Sequence, residues 1–178
     1  MSNRLQTRRE RYNTKTSRAR LFPVSLVSIN FLSDDNLAFL IRSAVCFGAA
    51  SVKVIGAVPE RNKIYNKSGS TLDYVKLEQF SSVEQYLDHL DDKTQVVCAE
   101  LCEGAQSIFD FKFDFSHHTD IIVGNEEVGI VGVLTERFPS IYIPMPGAGF
   151  CLNTSQAGNI MLYEYIKQYE LNYHGLCN

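Results

Sequence analysis

The chain has 178 residues, 45% of them hydrophobic and 21% charged, with a formal net charge of −3. That length predicts one domain with a real core. No apolar run reaches the roughly 18 residues a membrane-spanning helix needs, and no apolar stretch of the signal-peptide kind follows the basic start, so a soluble, cytoplasmic protein is expected.

The chain opens on a basic arm. Residues 1–20 hold Arg4, Arg8, Arg9, Arg11, Lys15, Arg18 and Arg20 against one acid, Glu10. Seven cations and one anion give +6, which with the overall −3 leaves −9 for the remaining body. Such an arm suits contact with a phosphate backbone, where neutralised phosphates release counterions. A solvated, flexible tail and an organellar transit peptide are the alternatives. The arm (1–20) and the body (21–178) are therefore separate units.

Pro23 to Asn30 (PVSLVSIN) predicts a first strand. A helix follows, capped by Ser33 or Asp34, with Leu37, Leu40, Ile41, Ala44 and Val45 on one face and a stop at Gly48. Ser51 to Ala57 predicts a second strand. Lys63 to Tyr74 is polar and turn-rich around Ser68-Gly69-Ser70, and Ser82 to Leu90 is helical. Thr94 to Ala99 and Asp120 to Gly124 are short apolar runs of the kind found in buried parallel strands. A helix over Val131 to Arg137, a strand over Ser140 to Ile143 and a long helix over Asn153 to Tyr169 complete the chain. Strands alternating with helices predict an α/β fold, a mostly parallel sheet flanked by helices. The five cysteines, Cys46, Cys98, Cys102, Cys151 and Cys177, are odd in number and scattered, which argues against a disulfide framework. No CxxC pair occurs and His117-His118 lacks partners at ligand spacing, so no metal site is expected. Cys46 and Cys98 read as core residues.

Three segments carry more polar detail than packing requires. In the first, Asn36 and Arg42 lie six residues apart, about 120° around the helix at roughly 100° per residue. Arg42 interrupts an apolar helix, where a lone charge needs a partner or a route to solvent. The second, Gly124-Asn-Glu-Glu-Val-Gly-Ile130, follows an apolar strand as a ligand-facing loop would; a turn with solvated acids explains it equally. The third runs from Ile143 to Gly158 (IPMPGAGFCLNTSQAG). Its prolines and glycines fix an irregular loop, and Asn153, Thr154 and Ser155 can cap the helix that follows.

In this order and spacing, the segments resemble the three motifs of the SpoU/TrmH family of RNA methyltransferases, in the SPOUT superfamily: N-x5-R with a trailing Phe47-Gly48, then G-N-E, then I-P-M-x-G…L-N-x-S. The resemblance covers Val24 to Tyr165. It implies a SPOUT-type domain with a deep C-terminal trefoil knot, which periodicity does not suggest because knots are nearly absent from proteins. It also implies a homodimer that uses S-adenosyl-L-methionine to methylate a ribose 2′-hydroxyl. By position, Gly124, Ile143, Met145, Cys151 and Leu152 would line the cofactor pocket, with Leu101 a weaker candidate. Arg42, Asn36, Glu126 and Asn153 would form the catalytic group.

In that group Arg42 would grip phosphate and stabilise developing charge, because a guanidinium is a poor base. Glu126 would hold Arg42 or the third loop or meet the substrate directly, Asn36 would orient Arg42 or meet the ribose, and Asn153 would position the loop or the hydroxyl. Cys151 stands where many relatives carry serine, and a thiol is the weaker donor. The arm residues Arg8, Arg9, Arg11, Arg18 and Arg20 would meet RNA, tRNA being favoured over rRNA. A non-catalytic RNA-binding module with the same fold is the alternative. A dinucleotide-binding dehydrogenase is disfavoured, since no G-x-G-x-x-G follows the first strand.

Overall fold

The computed structural model describes residues 8–174. A helix the sequence reading did not anticipate, α1 (Arg8–Ser17), runs through the basic arm. The side chains of Arg8, Arg9 and Arg11 lie outside the described ones, whereas Arg18 and Arg20 are exposed. Arg20 binds Glu170 at 2.8 Å and its guanidinium lies 5.1 Å from the Phe22 ring, so the end of the arm is fastened to the body.

The body is a seven-stranded sheet of β1 (Phe22–Ile29), β2 (Ala49–Ile55), β3 (Lys76–Phe80), β4 (Gln95–Ala99), β5 (Gln106–Ser107), β6 (Thr119–Val123) and β7 (Ser140–Tyr142). The strand order is β3-β2-β1-β6-β4-β7-β5 and every pairing is parallel. The expected mostly parallel sheet is thus parallel throughout its named strands. Residues of alternate parity face opposite layers, as the two-residue period of a strand requires. Leu26, Val52, Ile121 and Val123 pack beneath α2 (Asp34–Phe47) and α6 (Thr154–His174). Val27, Ile55, Ile122 and Cys98 pack on the other face with Tyr86 of α4 (Val83–Asp88) and Leu134 of α5 (Gly132–Thr135). A five-residue helix, α3 (Arg61–Tyr65), joins β2 to the 66–71 turn. No described helix is long and apolar enough to cross a membrane.

Local chemistry sets the ends of α2. The Ser33 side chain accepts from the Asp35 amide, and Asp34 and Asp35 place negative charge in the first turn, which favours the positive end of the helix dipole. Gly48 ends it at φ 75°, and a Cβ there would come 2.2 Å from the Arg20 carbonyl, so only glycine fits. Leu37, Leu40, Ile41 and Ala44 are buried as the helical period predicts, and Val45 is half-buried. Cys98 is fully buried and its thiol is pushed up to about 12 by burial. Cys46, also expected in the core, is exposed: it lies about 200° around the helix from buried Ala44, on the outer face.

Two strands and one packing motif escape the periodic reading. β3 is a half-exposed edge strand of sequence KLEQF, the charged composition that protects an edge, and β5 is only two residues long. Between β5 and β6, the alternation of Phe111, Phe113 and Phe115 lays aromatic rings on α6. Tyr165 meets Phe113 and Phe115 edge-on at 5.1 and 5.3 Å, and Tyr169 meets Phe115 at 5.4 Å. Tyrosines four apart share one helix face, so this pattern fixes how α6 lies on the body.

Candidate functional site

All strands point the same way, so their carboxyl ends, and the loops that leave them, gather along one edge. The three polar segments meet there. Glu126, in the loop after β6, accepts hydrogen bonds from the Leu32 amide (2.8 Å), the Ser33 amide (3.1 Å) and Asn36 Nδ2 (2.6 Å). Asn36 is buried, and its Oδ1 accepts from Asn153 Nδ2 at 2.8 Å. Asn153 in turn caps α6: its Oδ1 accepts from the Ser155 amide (2.9 Å) and Ser155 Oγ (2.6 Å). One chain of hydrogen bonds therefore ties the loop after β6 to the first turns of α2 and α6. Burial alone would raise the Glu126 carboxyl, but the donors of Leu32, Asn36 and Ser33 outweigh it and hold the group below the usual carboxylate range.

Neighbouring contacts make the loops rigid. Thr154 Oγ1 donates to the Gly124 carbonyl at 2.7 Å, and Asn125 Nδ2 donates to the Asn30 carbonyl at 2.5 Å. A Cβ on Gly124 would come 2.4 Å from the Gly129 carbonyl carbon, so this glycine is fixed by close backbone approach. Gly124 lies outside the walls of the adjoining cleft, unlike the other residues expected in a cofactor pocket. That cleft, of about 350 Å³, is lined by Leu101, Ile143, Met145, Cys151 and Leu152, together with the ends of β4 and β7 and with Ala157 and Met161 of α6. Glu100, not singled out from sequence, also lines it. Its carboxylate accepts from the Leu101 amide (3.1 Å) and the Ile130 amide (2.9 Å), joining the loops after β4 and β6. An acid immediately after an apolar strand was the available signal.

Arg42 stands apart from this chain. It is exposed, and among the described residues it makes no hydrogen bond or ion pair. Its guanidinium lies over Gly69, whose ideal Cβ position is 3.6 Å from Cζ. Neither Asn36 nor Glu126 holds it, contrary to one of the roles expected for each; both are engaged with the helix N-termini instead. The core does not need to compensate its charge, because the 120° offset from Asn36 carries it to the flank of α2. The 66–71 turn that it covers is closed by its own bonds, Ser68 to Ile64, Gly69 to Asn66 and Ser70 to Tyr65, and is tied to α2 by the Lys67–Asp35 ion pair.

Sequence comparison bears on this arrangement directly. The pattern of the SpoU rRNA Methylase family matches residues 23–163. The chain belongs to the SpoU family. Among its relatives, the 23S rRNA (guanosine-2′-O-)-methyltransferase RlmB of Acinetobacter baylyi is 30% identical over 152 residues, 80% of this chain and 59% of that protein. The chain spans between half and three fifths of the length of the curated relatives it matches. Its fold is shared with solved structures. One, described as giving insight into 2-OH methylation of C/U34 on tRNA, aligns with TM-score 0.75 at 23% identity, covering 82% of this chain and 95% of that one. Another, the SpoU methyltransferase AviRb of Streptomyces viridochromogenes in complex with AdoMet, aligns with TM-score 0.74 at 24% identity, covering 85% and 59%. The SpoU match spans Asn36, Arg42, Glu126 and Asn153 as well as the cleft, and so includes both the hydrogen-bonded chain and the arginine.

Proposed function

We propose that this protein transfers a methyl group from S-adenosyl-L-methionine to a ribose 2′-hydroxyl of RNA. The observation that carries the reading is the adjacency of a mainly apolar cleft to the Glu126–Asn36–Asn153 chain. The cleft suits the cofactor: Ile141, Ile143, Met145, Leu152 and Met161 offer apolar walls. The ends of β4 and β7 bring main-chain groups to it, and its one carboxylate, Glu100, is already engaged by two amides. When bound there, the cofactor supplies an electrophilic methyl with its own leaving group.

The chain's residues then have the ribose to deal with. A hydroxyl is a weak nucleophile at neutral pH, so it must be oriented and its developing charge stabilised. The Arg42 guanidinium, uncommitted to any described partner, can fork onto a phosphate or the 2′-oxygen. Glu126 and Asn36 set the angle of α2, which carries Arg42; Asn153 sets the start of α6. Cys151 lines the cleft as a weaker donor than serine, and main-chain groups at the ends of β4 and β7 would carry the cofactor contacts.

The substrate we favour is tRNA, reached with help from the arm residues Arg8, Arg9, Arg11, Arg18 and Arg20. Support comes from the near-complete coverage of the compact structure concerned with tRNA position 34. The 30% identity to an rRNA enzyme favours rRNA as the second reading. A homodimer is supported by the exposed Phe39 on α2 and Ile160 and Tyr163 on α6. A C-terminal trefoil knot is supported by the insertion of β6 between β1 and β4 and the return of α6 onto α2. We place the protein in the cytoplasm. Calorimetry with S-adenosyl-L-methionine, followed by radiolabelled transfer to total tRNA and to rRNA separately, tests the reading. Cofactor binding with labelling of one pool is expected; cofactor binding with neither pool labelled contradicts it in favour of a binding module.

A further inference from the structure

The rim of the carboxyl edge has an unusual composition for a surface that meets a polyanion. The three loops that leave β4, β6 and β7 (100–105, 124–131 and 143–153) contain Glu100, Glu103, Glu126 and Glu127 and not one lysine or arginine. The same edge exposes large apolar side chains instead: Leu32 after β1, Leu101 after β4, Phe109 after β5, Val128 after β6, and Met145 and Phe150 after β7. Phe150 is the extreme case. It lines the mouth of the cleft and is nevertheless 98% exposed, so its ring packs on almost nothing within the chain. Three residues on, Asn153 enters the hydrogen-bonded chain.

Phosphates are repelled by such a rim, whereas a nucleobase has a flat apolar face that an aromatic ring can take. In an A-form duplex those faces are hidden in the stack, and only an unpaired nucleotide can present one. We propose that Phe150 is a specificity-determining residue: it stacks on the splayed base of the nucleotide whose ribose is methylated, and so selects an unpaired loop nucleotide over a paired one. This rests on the RNA methyltransferase reading above. It adds a division of labour, in which phosphates are held at Arg42 and the arm and the base is held by Phe150.

The chain contains no tryptophan, so Phe150→Trp introduces a single fluorescent reporter at the site. Titration with short single-stranded oligoadenylate quenches its emission, the blunt duplex of that strand with oligouridylate of equal length does so weakly, and S-adenosyl-L-methionine alone leaves it unchanged. In methyl transfer, Phe150→Ala and Phe150→Leu raise KM for RNA roughly tenfold, as the loss of one base stack does, Phe150→Tyr retains it, and KM for the cofactor holds in all three. A shift in emission on adding cofactor alone makes the ring a cover for the cofactor and overturns the proposal. So does an equal response to duplex and single strand, or a leucine variant as good as tyrosine. If the wild type methylates no RNA, the enzymatic reading falls, while the fluorescence titration still decides whether the ring stacks on bases.

Discussion

Two carboxylates at opposite ends of β6, Asp120 and Glu126, each collect several donors, and they do opposite jobs. Asp120, near the start of β6, is fully buried; it accepts from Lys53 Nζ at 2.7 and 2.9 Å and Tyr86 Oη at 2.8 Å, with His118 Nε2 at 3.3 Å. His118 also bonds Ser25 Oγ at 2.8 Å, and Ser25 bonds Ser51 at 2.8 Å. Glu126, at the other end of the same strand, gathers three donors while exposed. In the first case the low-dielectric surroundings make every partner compulsory. In the second, water is an alternative partner, so the bonds set geometry more than stability. The same chemistry anchors the fold at one end of β6 and shapes a site at the other.

Removing one partner from each cluster should separate them most sharply. Asp120→Ala leaves the Lys53 ammonium and the Tyr86 hydroxyl without their acceptor and is expected to cost about 3–5 kcal/mol of unfolding free energy, read from denaturant melts. Arg42→Ala should melt like wild type and lose about 100- to 1000-fold in kcat, the size of a removed charge-stabilising donor; Arg42→Lys should recover little of this, because it lacks the planar fork. Glu126→Gln keeps the shape but weakens three accepted bonds. We expect about tenfold lower kcat/KM, some 1.4 kcal/mol, with a melt shifted by less than that. Asn153→Ala removes a helix cap, about 1 kcal/mol of stability, and also lowers activity, since the cap is bonded to Asn36.

The smallest effect is in pH. Burial would raise the Asp120 carboxyl, yet His118, Lys53 and Tyr86 together hold it below its ordinary value. A group lowered in the folded state contributes stability that is present above its unfolded pKa, near 3.9, and lost as pH falls through the lower folded value. Stability measured by denaturant should therefore drop with acid below about pH 4, and Asp120→Asn should flatten part of that slope.

Much of the site could be read from the residues because its parts are local: a capped helix start, a glycine-bounded loop, a proline-fixed loop before a helix. What joins them is not local, and neither the Glu126–Asn36 nor the Asn36–Asn153 bond could be inferred from spacing. The same is true of Arg42, whose lack of a partner among the described residues depends on how α2 is rotated in the fold. The buried cluster left a usable trace, since Lys53 and Asp120 are lone opposite charges within apolar strands and must meet. β3 left little, because an edge strand covered in charge has no apolar period. The Phe111–Phe115 alternation looks like a strand and is instead an aromatic strip laid along α6.

We propose that the carboxyl edge performs ribose methylation. Its most direct test is to digest RNA labelled by the wild-type protein and by Arg42→Ala, with the melt of each recorded, and to identify the labelled nucleosides. The account predicts a 2′-O-methylnucleoside from the wild type and almost none from an equally stable Arg42→Ala. Label on a base, or undiminished ribose labelling by the variant, would contradict it.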